Sequence, residues 1–413
     1  MATDAVYILG GHQTDFARNW TREGGDIYGM MKTCLEAGLA ETGIEAKDLQ
    51  TCHIGNFVAE LFCGQGQLGG MFVAIDPAFS GLPTARHEAA CASGSLAVLA
   101  AAAEIEAGRY DLACVLGVEF MRNVHGDQAA AHLGAARWVG READDVGFVW
   151  PHLFSELAVE YHRRHGLEYD HLMEIARIAM ENGRRNPNAQ TRKWEFRNAA
   201  FTADDAENPV IEGWMRRRDC GQVTDGAAVV FLASPRFAEE FAKKSGRPVE
   251  SLSKVAGWGH STATMCIEDK FTESAGSDYV LPHVKGAIDD AYCRAGIGSA
   301  TDLDVIETHD CFTITEYMAI DHFGITAPGE SWKAIEDGTI GFGGRLPVNP
   351  SGGLIGLGHP VGASGVRMVL DAHKQVTGRA GDYQVAGARR AGTLNIGGSA
   401  TTTASFVVER ADG

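Results

Sequence analysis

The sequence has no long hydrophobic run, no closely spaced cysteine pair and no excess of basic residues, and each absence removes a class of protein. No apolar stretch reaches the roughly 18–20 residues of a membrane-spanning helix, so no transmembrane helix and no membrane partner are expected. The opening Met-Ala-Thr-Asp-Ala-Val has neither a basic n-region nor an apolar core, which argues against a secretory leader. The closing Arg410-Ala-Asp-Gly is not a peroxisomal address. The nine cysteines are odd in number and include no Cys-x-x-Cys, so neither a disulfide framework nor a zinc motif is read from them. Free thiols of this kind suit a reducing, cytoplasmic setting, where most serve as small buried apolar groups. Lys and Arg number 36 against 54 Asp and Glu, a formal charge of −18. That balance argues against nucleic acid or an anionic bilayer as partner. It leaves room for a small anion held by a local basic pocket or a helix N-terminus.

Glycine is what the chain has in plenty, 51 of 413 residues, above the usual share of about 7%. With ordinary charge content this describes a tightly turned globular protein. The length exceeds the roughly 250–300 residues at which a single core stops growing, so more than one core is expected.

A weak internal duplication organises the chain. The apolar run Val6-Tyr-Ile-Leu9 leads into Gly10-Gly11-His12, and Val255-Ala-Gly-Trp-Gly-His260 opens a second half in the same way. Helix-like stretches follow, Met31 to Ala40 and Val284 to Ala295, each stopped by a glycine, Gly43 or Gly296. Each is followed by an acidic turn and an apolar strand, Asp48 to Ile54 and Asp302 to Glu307. Further on, Cys91-Ala-Ser-Gly94 and Gly362-Ala-Ser-Gly365 each open a long helix. Alternating strands and helices predict an α/β protein with a parallel sheet in each half. The small residues opening the two matched helices predict that these lie side by side at the centre. The segment 121–219 does not fit the repeat. It carries helix-like stretches, Ser155 to His162 and His171 to Met180, and Arg-rich loops, and reads as a long insertion over one face. The boundaries drawn are 1–120 with 220–250 for the first half, 121–219 for the helical loop region, and 251–413 for the second half.

Three places carry chemistry. Cys91 lies where a strand and turn feed an Ala- and Leu-rich helix. A thiol there feels the positive end of the helix dipole, which predicts a lowered pKa, and free N–H groups nearby can hold an oxyanion. A lone cysteine is more often a buried apolar group, as expected of Cys34 and Cys114. His359 ends the Gly-rich segment Asn349 to Gly358, just before the second matched helix. Such a segment is costly in chain entropy and makes sense where backbone must approach a ligand. The third place is Glu307-Thr-His309-Asp310-Cys311-Phe312, at a strand end where α/β folds put their sites.

These motifs together resemble the thiolase superfamily. Ala90-Cys91-Ala-Ser-Gly-Ser-Leu-Ala97 is similar to the thiolase nucleophile motif, Asn349 to Gly365 to the Gly-His-Pro motif, and Thr224-Asp-Gly-Ala-Ala228 to the inter-domain strand motif. Asn395-Ile-Gly-Gly398 stands in the place of the last active-site loop. Ordinary thiolases carry Asn-Glu-Ala-His and a second cysteine in the last two places; here they hold His309-Asp310-Cys311-Phe312 and Asn395. That pattern resembles the sterol-carrier-protein-2 type.

The resemblance implies a five-layer αβαβα fold of two duplicated halves with an inserted helical loop region. It implies an acyltransferase of lipid metabolism, such as β-oxidation, that condenses or cleaves 3-ketoacyl-CoA through an acyl group on Cys91. His359 would act as base and Cys311 as the second proton carrier. His309 with His359 would hold the enolate oxygen, and N–H groups near Cys91 and Gly397 the first oxyanion. No metal or cofactor is implied beyond coenzyme A thioesters as substrates. A homodimer or tetramer of dimers is implied, paired through a strand near Leu112 to Val118 at the sheet edge. A small zinc-ribbon/OB-fold partner protein is a further implication of this branch. Ketoacyl-synthase-like and aldolase-like relatives of the same fold, and a non-catalytic acyl-CoA-binding subunit, remain open at this point.

Overall fold

A computed structural model describes residues 5–412. The first four residues, part of the leader reading, and Gly413, the end of the targeting reading, lie outside the described residues.

The strands are β1 (Val6–Gln13), β2 (Thr51–Gly55), β3 (Thr84–His87), β4 (Leu112–Glu119), β5 (Val210–Glu212), β6 (Met215–Arg216), β7 (Gly226–Ala233), β8 (Ser253–Thr262), β9 (Val305–Thr308), β10 (Arg390–Gly397) and β11 (Thr402–Arg410). Nine form one sheet in the order β3-β2-β4-β7-β1-β8-β11-β10-β9, and β5 pairs with β6 apart from it. The order carries the duplication. Read outward from the centre, β1-β7-β4-β2 repeats as β8-β11-β10-β9, with β3 added on the first side. The pairing directions repeat too: β2·β4 and β9·β10 are parallel, while β4·β7, β7·β1, β10·β11 and β11·β8 are antiparallel. The halves join where β1 meets β8, at Val6–Val255, Tyr7–Lys254 and Ile8–Ser253.

Each half-sheet is therefore mixed, where the alternation of elements predicted it parallel. The reason is local in the second half. The Gly398–Thr401 turn between β10 and β11 is a short hairpin connection, which only antiparallel neighbours can use.

The matched helices, Ser93–Glu106 and Val361–Val376, lie side by side at the centre, and the second packs on strands of both halves. Their approach is backbone to backbone. A Cβ on Gly94 would lie 2.8 Å, and one on Gly117 of β4 2.5 Å, from the carbonyl oxygen of Gly362. Ala97, Ala101, Ala363 and Val366 complete this apolar layer with Ile8, Val230 and Phe406 from the sheet. Helix Ile27–Thr42 covers the outer side of the first half-sheet and Pro282–Ala295 that of the second. The layers run helix, sheet, helix pair, sheet, helix. Both outer helices end as the sequence predicts, on left-handed glycines, Gly43 (φ 76) and Gly296 (φ 67).

Residues 121–219 add no strand to the main sheet. Their long helices, Val149–His165 and Tyr169–Gly183, bury Leu153, Tyr161, Leu172 and Ile175 in the core of the second half. β4 is not at an edge. It pairs with β2 on one side and β7 on the other, and β3 is the outermost strand of the first half. The dimer strand proposed for Leu112 to Val118 is thus buried within its own sheet. No helix among the described residues is long and apolar enough to cross a membrane.

Candidate active site

Cys91 sits in a one-turn 3-10 helix, Ala90–Ala92, that enters the first central helix. The turn is fastened by Ser93, whose Oγ accepts from Ala89 N–H (2.9 Å) and donates to the Ala90 carbonyl (2.6 Å). Ala90 is held at φ 50, and two other non-glycine residues in the left-handed region, Asn349 (φ 50) and Ala400 (φ 58), lie at the start of the Gly-rich loop and in the turn after β10. Non-glycine strain of this kind costs of order 1–3 kcal/mol and collects where a site demands it.

The packing of the central helices brings the second-half loops to Cys91. One donor atom each from Cys91, His309 and His359 falls within 4.8 Å of the others, and the two rings meet edge to face at 5.2 Å between centroids. Residues 268 apart in sequence meet as predicted.

Hydrogen bonds set the proton on each ring. Ser364 Oγ donates to the Pro360 carbonyl at 3.1 Å, so it accepts from His359 Nδ1–H at 2.7 Å. The lone pair of His359 then lies on Nε2, a buried atom with no partner of its own. His309 is set the other way. Ser95 Oγ donates to Asn395 Oδ1 at 2.8 Å, which turns the Asn395 amide N–H to His309 Nδ1 at 3.0 Å. His309 therefore presents Nε2–H. One histidine can take a proton and the other can donate a hydrogen bond.

The sequence left Asn395 as a residue replacing a cysteine; its hold on His309 was not legible. Nor was Thr224, whose Oγ1 accepts from His359 N–H at 3.0 Å. The pairing of Ser95 with Asn395 on β10 had one signal: Gly365 leaves room for the Ser95 hydroxyl, 2.3 Å from where a Cβ would stand.

The electrostatics reverse one expectation. Burial, with Glu119 nearby, pushes the Cys91 thiol up to about 12, although the N–H groups of Cys91 and Gly398 pull it back. Removal from water outweighs the helix-end field here. The amide facing the sulfur is that of Gly398, one residue beyond Gly397. Gly397 is needed for a close approach instead: a Cβ there would lie 2.1 Å from the Ala89 carbonyl oxygen. Burial lowers His359 to about 3 and His309 well below its ordinary value, with the Arg367 guanidinium adding to both. The resting site is a neutral thiol beside two neutral imidazoles.

Cys311 stands just before helix Thr313–His322. Burial, and the charges of Cys91 and Asp310, raise its pKa, against the Phe312 N–H and the Thr315 hydroxyl. His309 turns to Asn395 and His359. Phe312 stacks on Phe154 at 4.6 Å, which brings the 121–219 segment against this loop.

Beneath the site lies a buried charged network. Glu307 takes Arg367 Nη1 (2.7 Å), Ser351 Oγ (2.6 Å) and Ser351 N–H (3.1 Å). Asp310 accepts from Leu354 N–H and Ile355 N–H, and Asn349 bridges Thr308 N–H (2.8 Å) to Glu316 (2.6 Å). These bonds clamp the Gly-rich loop onto the Cys311 loop. Gly353 is required there, since a Cβ would fall 2.3 Å from an Asp310 oxygen. The Cys91–His309–His359 trio is also a donor set that zinc favours.

Comparison with known proteins names the arrangement. A family model described as the thiolase N-terminal domain matches residues 6–236, and one described as thiolase C-terminal domain-like matches 268–410. The chain belongs to the thiolase family. An acetyl-CoA acetyltransferase of Methanothermobacter thermautotrophicus is 30% identical over 98% of this thiolase and 99% of its own length. One from Methanocaldococcus jannaschii is 31% identical over 98% of each. Sterol carrier protein 2 of Gallus gallus is 27% identical over 96% of this chain and 71% of its own. Solved structures agree on the fold. One named Ltp2-ChsH2(DUF35) aldolase superposes with a TM-score of 0.77 at 18% identity, covering 99% of this chain and 98% of that one. Human mitochondrial 3-ketoacyl-CoA thiolase gives 0.68 at 17%, covering 100% of both.

Proposed function

We propose that this thiolase transfers acyl groups between coenzyme A thioesters through Cys91, in reversible condensation and thiolysis of 3-ketoacyl-CoA. The observation that carries the reading is the convergence of Cys91 with one proton-accepting and one hydrogen-bond-donating histidine.

The Cys91 proton passes to His359 Nε2 as the sulfur attacks the acyl carbonyl carbon. The N–H groups of Cys91 and Gly398 hold the resulting oxyanion. Its collapse expels the CoA thiolate, which leaves with the proton from His359. For condensation, His359 Nε2 first takes the Cys311 proton; the Cys311 thiolate then removes the α-proton of a second acyl-CoA while His309 Nε2–H and His359 Nε2–H donate to the enolate oxygen. The enolate carbon attacks the acyl carbon on Cys91, and the departing Cys91 thiolate takes the proton held on His359 Nε2, which restores the resting site. Thiolysis is the same path in reverse. A neutral resting thiol fits this order, because the charge develops only when an acyl group arrives.

We extend the reading to a reducing, cytoplasmic setting, which the nine free cysteines support, and to a dimer. Coverage of nearly the whole chain by an aldolase structure whose name includes a DUF35 component supports testing a small partner protein.

The test is acetyl transfer from radiolabelled acetyl-CoA, followed on protein and in product. Cys91→Ala should lose the protein-bound label and lower turnover by about four orders of magnitude or more. Label retained in Cys91→Ala would place the nucleophile elsewhere.

A further inference from the structure

A concentration of positive charge lies away from Cys91, at the far end of the second central helix. An open pocket of about 560 Å³ is lined there by Arg184, Arg185, Arg192, Lys193, Lys374 and Arg379, with Asp382 as its one lining acid. Arg192 is paired with Asp15 at 2.8 Å, and Lys374 stands 3.7 Å from buried Asp371. Among the described residues, Arg184, Arg185, Lys193 and Arg379 form no ion pair with a carboxylate. Arg247 lines the adjoining cavity with Lys374 and Arg379, and burial, with the Arg247 charge beside it, lowers the Arg379 pKa.

A plainer explanation is helix capping. Helices Tyr169–Gly183 and Val361–Val376 both end here, and cations are favoured at helix C-termini. Two helix ends present about one unit of negative charge in total. Four unpaired cations exceed that need. They also crowd one pocket of a chain whose formal charge is −18, where carboxylate partners are plentiful elsewhere. Like charges held together without counter-charge are a cost, and a bound anion relieves it.

We propose that this pocket is a second, non-catalytic site for an oligophosphate anion, one with at least two phosphoryl groups. Four cations from two chain segments suit several phosphoryl oxygens better than a single carboxylate, and arginine forks match them in geometry. The site also connects to the catalytic loop. Asn182 Nδ2 donates to the Asn349 carbonyl and Asn186 Nδ2 to that of Ser351, each at 3.0 Å. Gly183 lies so near Gly352 that a Cβ on the latter would fall 2.8 Å from the Gly183 Cα. An anion that draws Arg184 and Arg185 toward Arg379 therefore tightens the segment that clamps the His359 loop.

Titration calorimetry with inorganic pyrophosphate and with adenosine 3′,5′-bisphosphate tests this on the whole protein. The comparison is wild type, Arg184→Glu/Arg379→Glu, and Arg163→Glu as a charge reversal outside the pocket, with thermal melting to confirm folding. The proposal expects binding that weakens with salt and at least about tenfold weaker binding in the double variant. Arg163→Glu should bind as wild type does. Of the binding that the double variant loses, pyrophosphate as tight as the nucleotide marks a free oligophosphate as the occupant, and a tighter nucleotide marks a nucleotide. Equal affinity in wild type and double variant for both probes, or no binding of either in the millimolar range, would overturn it.

Discussion

The two halves share strand order, outer helix and central helix, yet they surround the site with different physics. Aligning Cys91 with Gly362 puts Leu96 where Arg367 stands, and the earlier match of Asp48 with Asp302 puts His53 where Glu307 stands. On the first-half side, Cys91 rests against an apolar cluster of Phe57 and Phe62, closed by Met121 and by Val361 of the second half. In the second half, Arg367, Glu307, Asp310 and Glu316 are fully buried and clamp two loops together. One half keeps a half-buried thiol uncharged. The other spends buried charge on holding two histidines still, and Arg367 helps keep them neutral. Duplication supplied a symmetric frame, and the chemistry comes from the asymmetry.

Making the second half more like the first should break it. Arg367→Leu leaves Glu307 without its cation and Asp371 with only Lys374 at 3.7 Å, which should cost about 3–5 kcal/mol in urea unfolding. Adding Glu307→Leu should restore part of that loss. An Arg367→Leu protein as stable as wild type would mean the network contributes nothing to holding the loops.

Asn395→Ala tests the proton placement on the second-half side. It frees His309 to take the other tautomer, so turnover should fall about 100-fold, the lower end of what losing an oxyanion donor costs. Acylation of Cys91 should change little, because His359 and the Cys91 and Gly398 amides are untouched. Equal loss in both steps would show that Asn395 acts on Cys91 through Ser95 instead.

On the nucleophile side the effect is smaller and depends on pH. Glu119 is buried, accepts from the N–H groups of Phe57, Val58 and Gly362, and is raised to about 7. Below pH 7 it is protonated and adds no charge; above pH 7 it ionises and disfavours the thiolate. Iodoacetamide labelling of Cys91 in Glu119→Gln should match wild type at pH 6 and exceed it severalfold at pH 8.5. In wild type, labelling should climb with pH beyond 9 without a plateau, because the thiol lies at about 12. The acylation rate should show no acid limb near 6.5, because His359 stays neutral down to about 3. A labelling plateau below pH 8 would mean that the thiolate is stabilised after all.

Much of this was legible in the sequence because it is written locally. The glycine stops at Gly43 and Gly296, the small-residue openings of the central helices, and the placing of Cys91, His359 and Cys311 at element ends all follow from short-range rules. What was not legible depends on partners far along the chain. Asn395 meets His309 across 86 residues and Ser95 across 300. The apolar strand Leu112–Glu119 reads the same whether at an edge or in the middle of a sheet, and only the return of β7 decides it. The rise in the Cys91 pKa is a matter of burial, which a helix N-terminus alone does not reveal.

The division of labour between the halves comes down to whether acylation and proton transfer separate. In a single turnover with acetyl-CoA, intact-protein mass spectrometry of Cys311→Ser should find the acetyl group on Cys91 at near wild-type rate, while condensed product and thiolysis of acetoacetyl-CoA are lost. Full turnover in Cys311→Ser, or parallel loss of acylation and condensation, would contradict it.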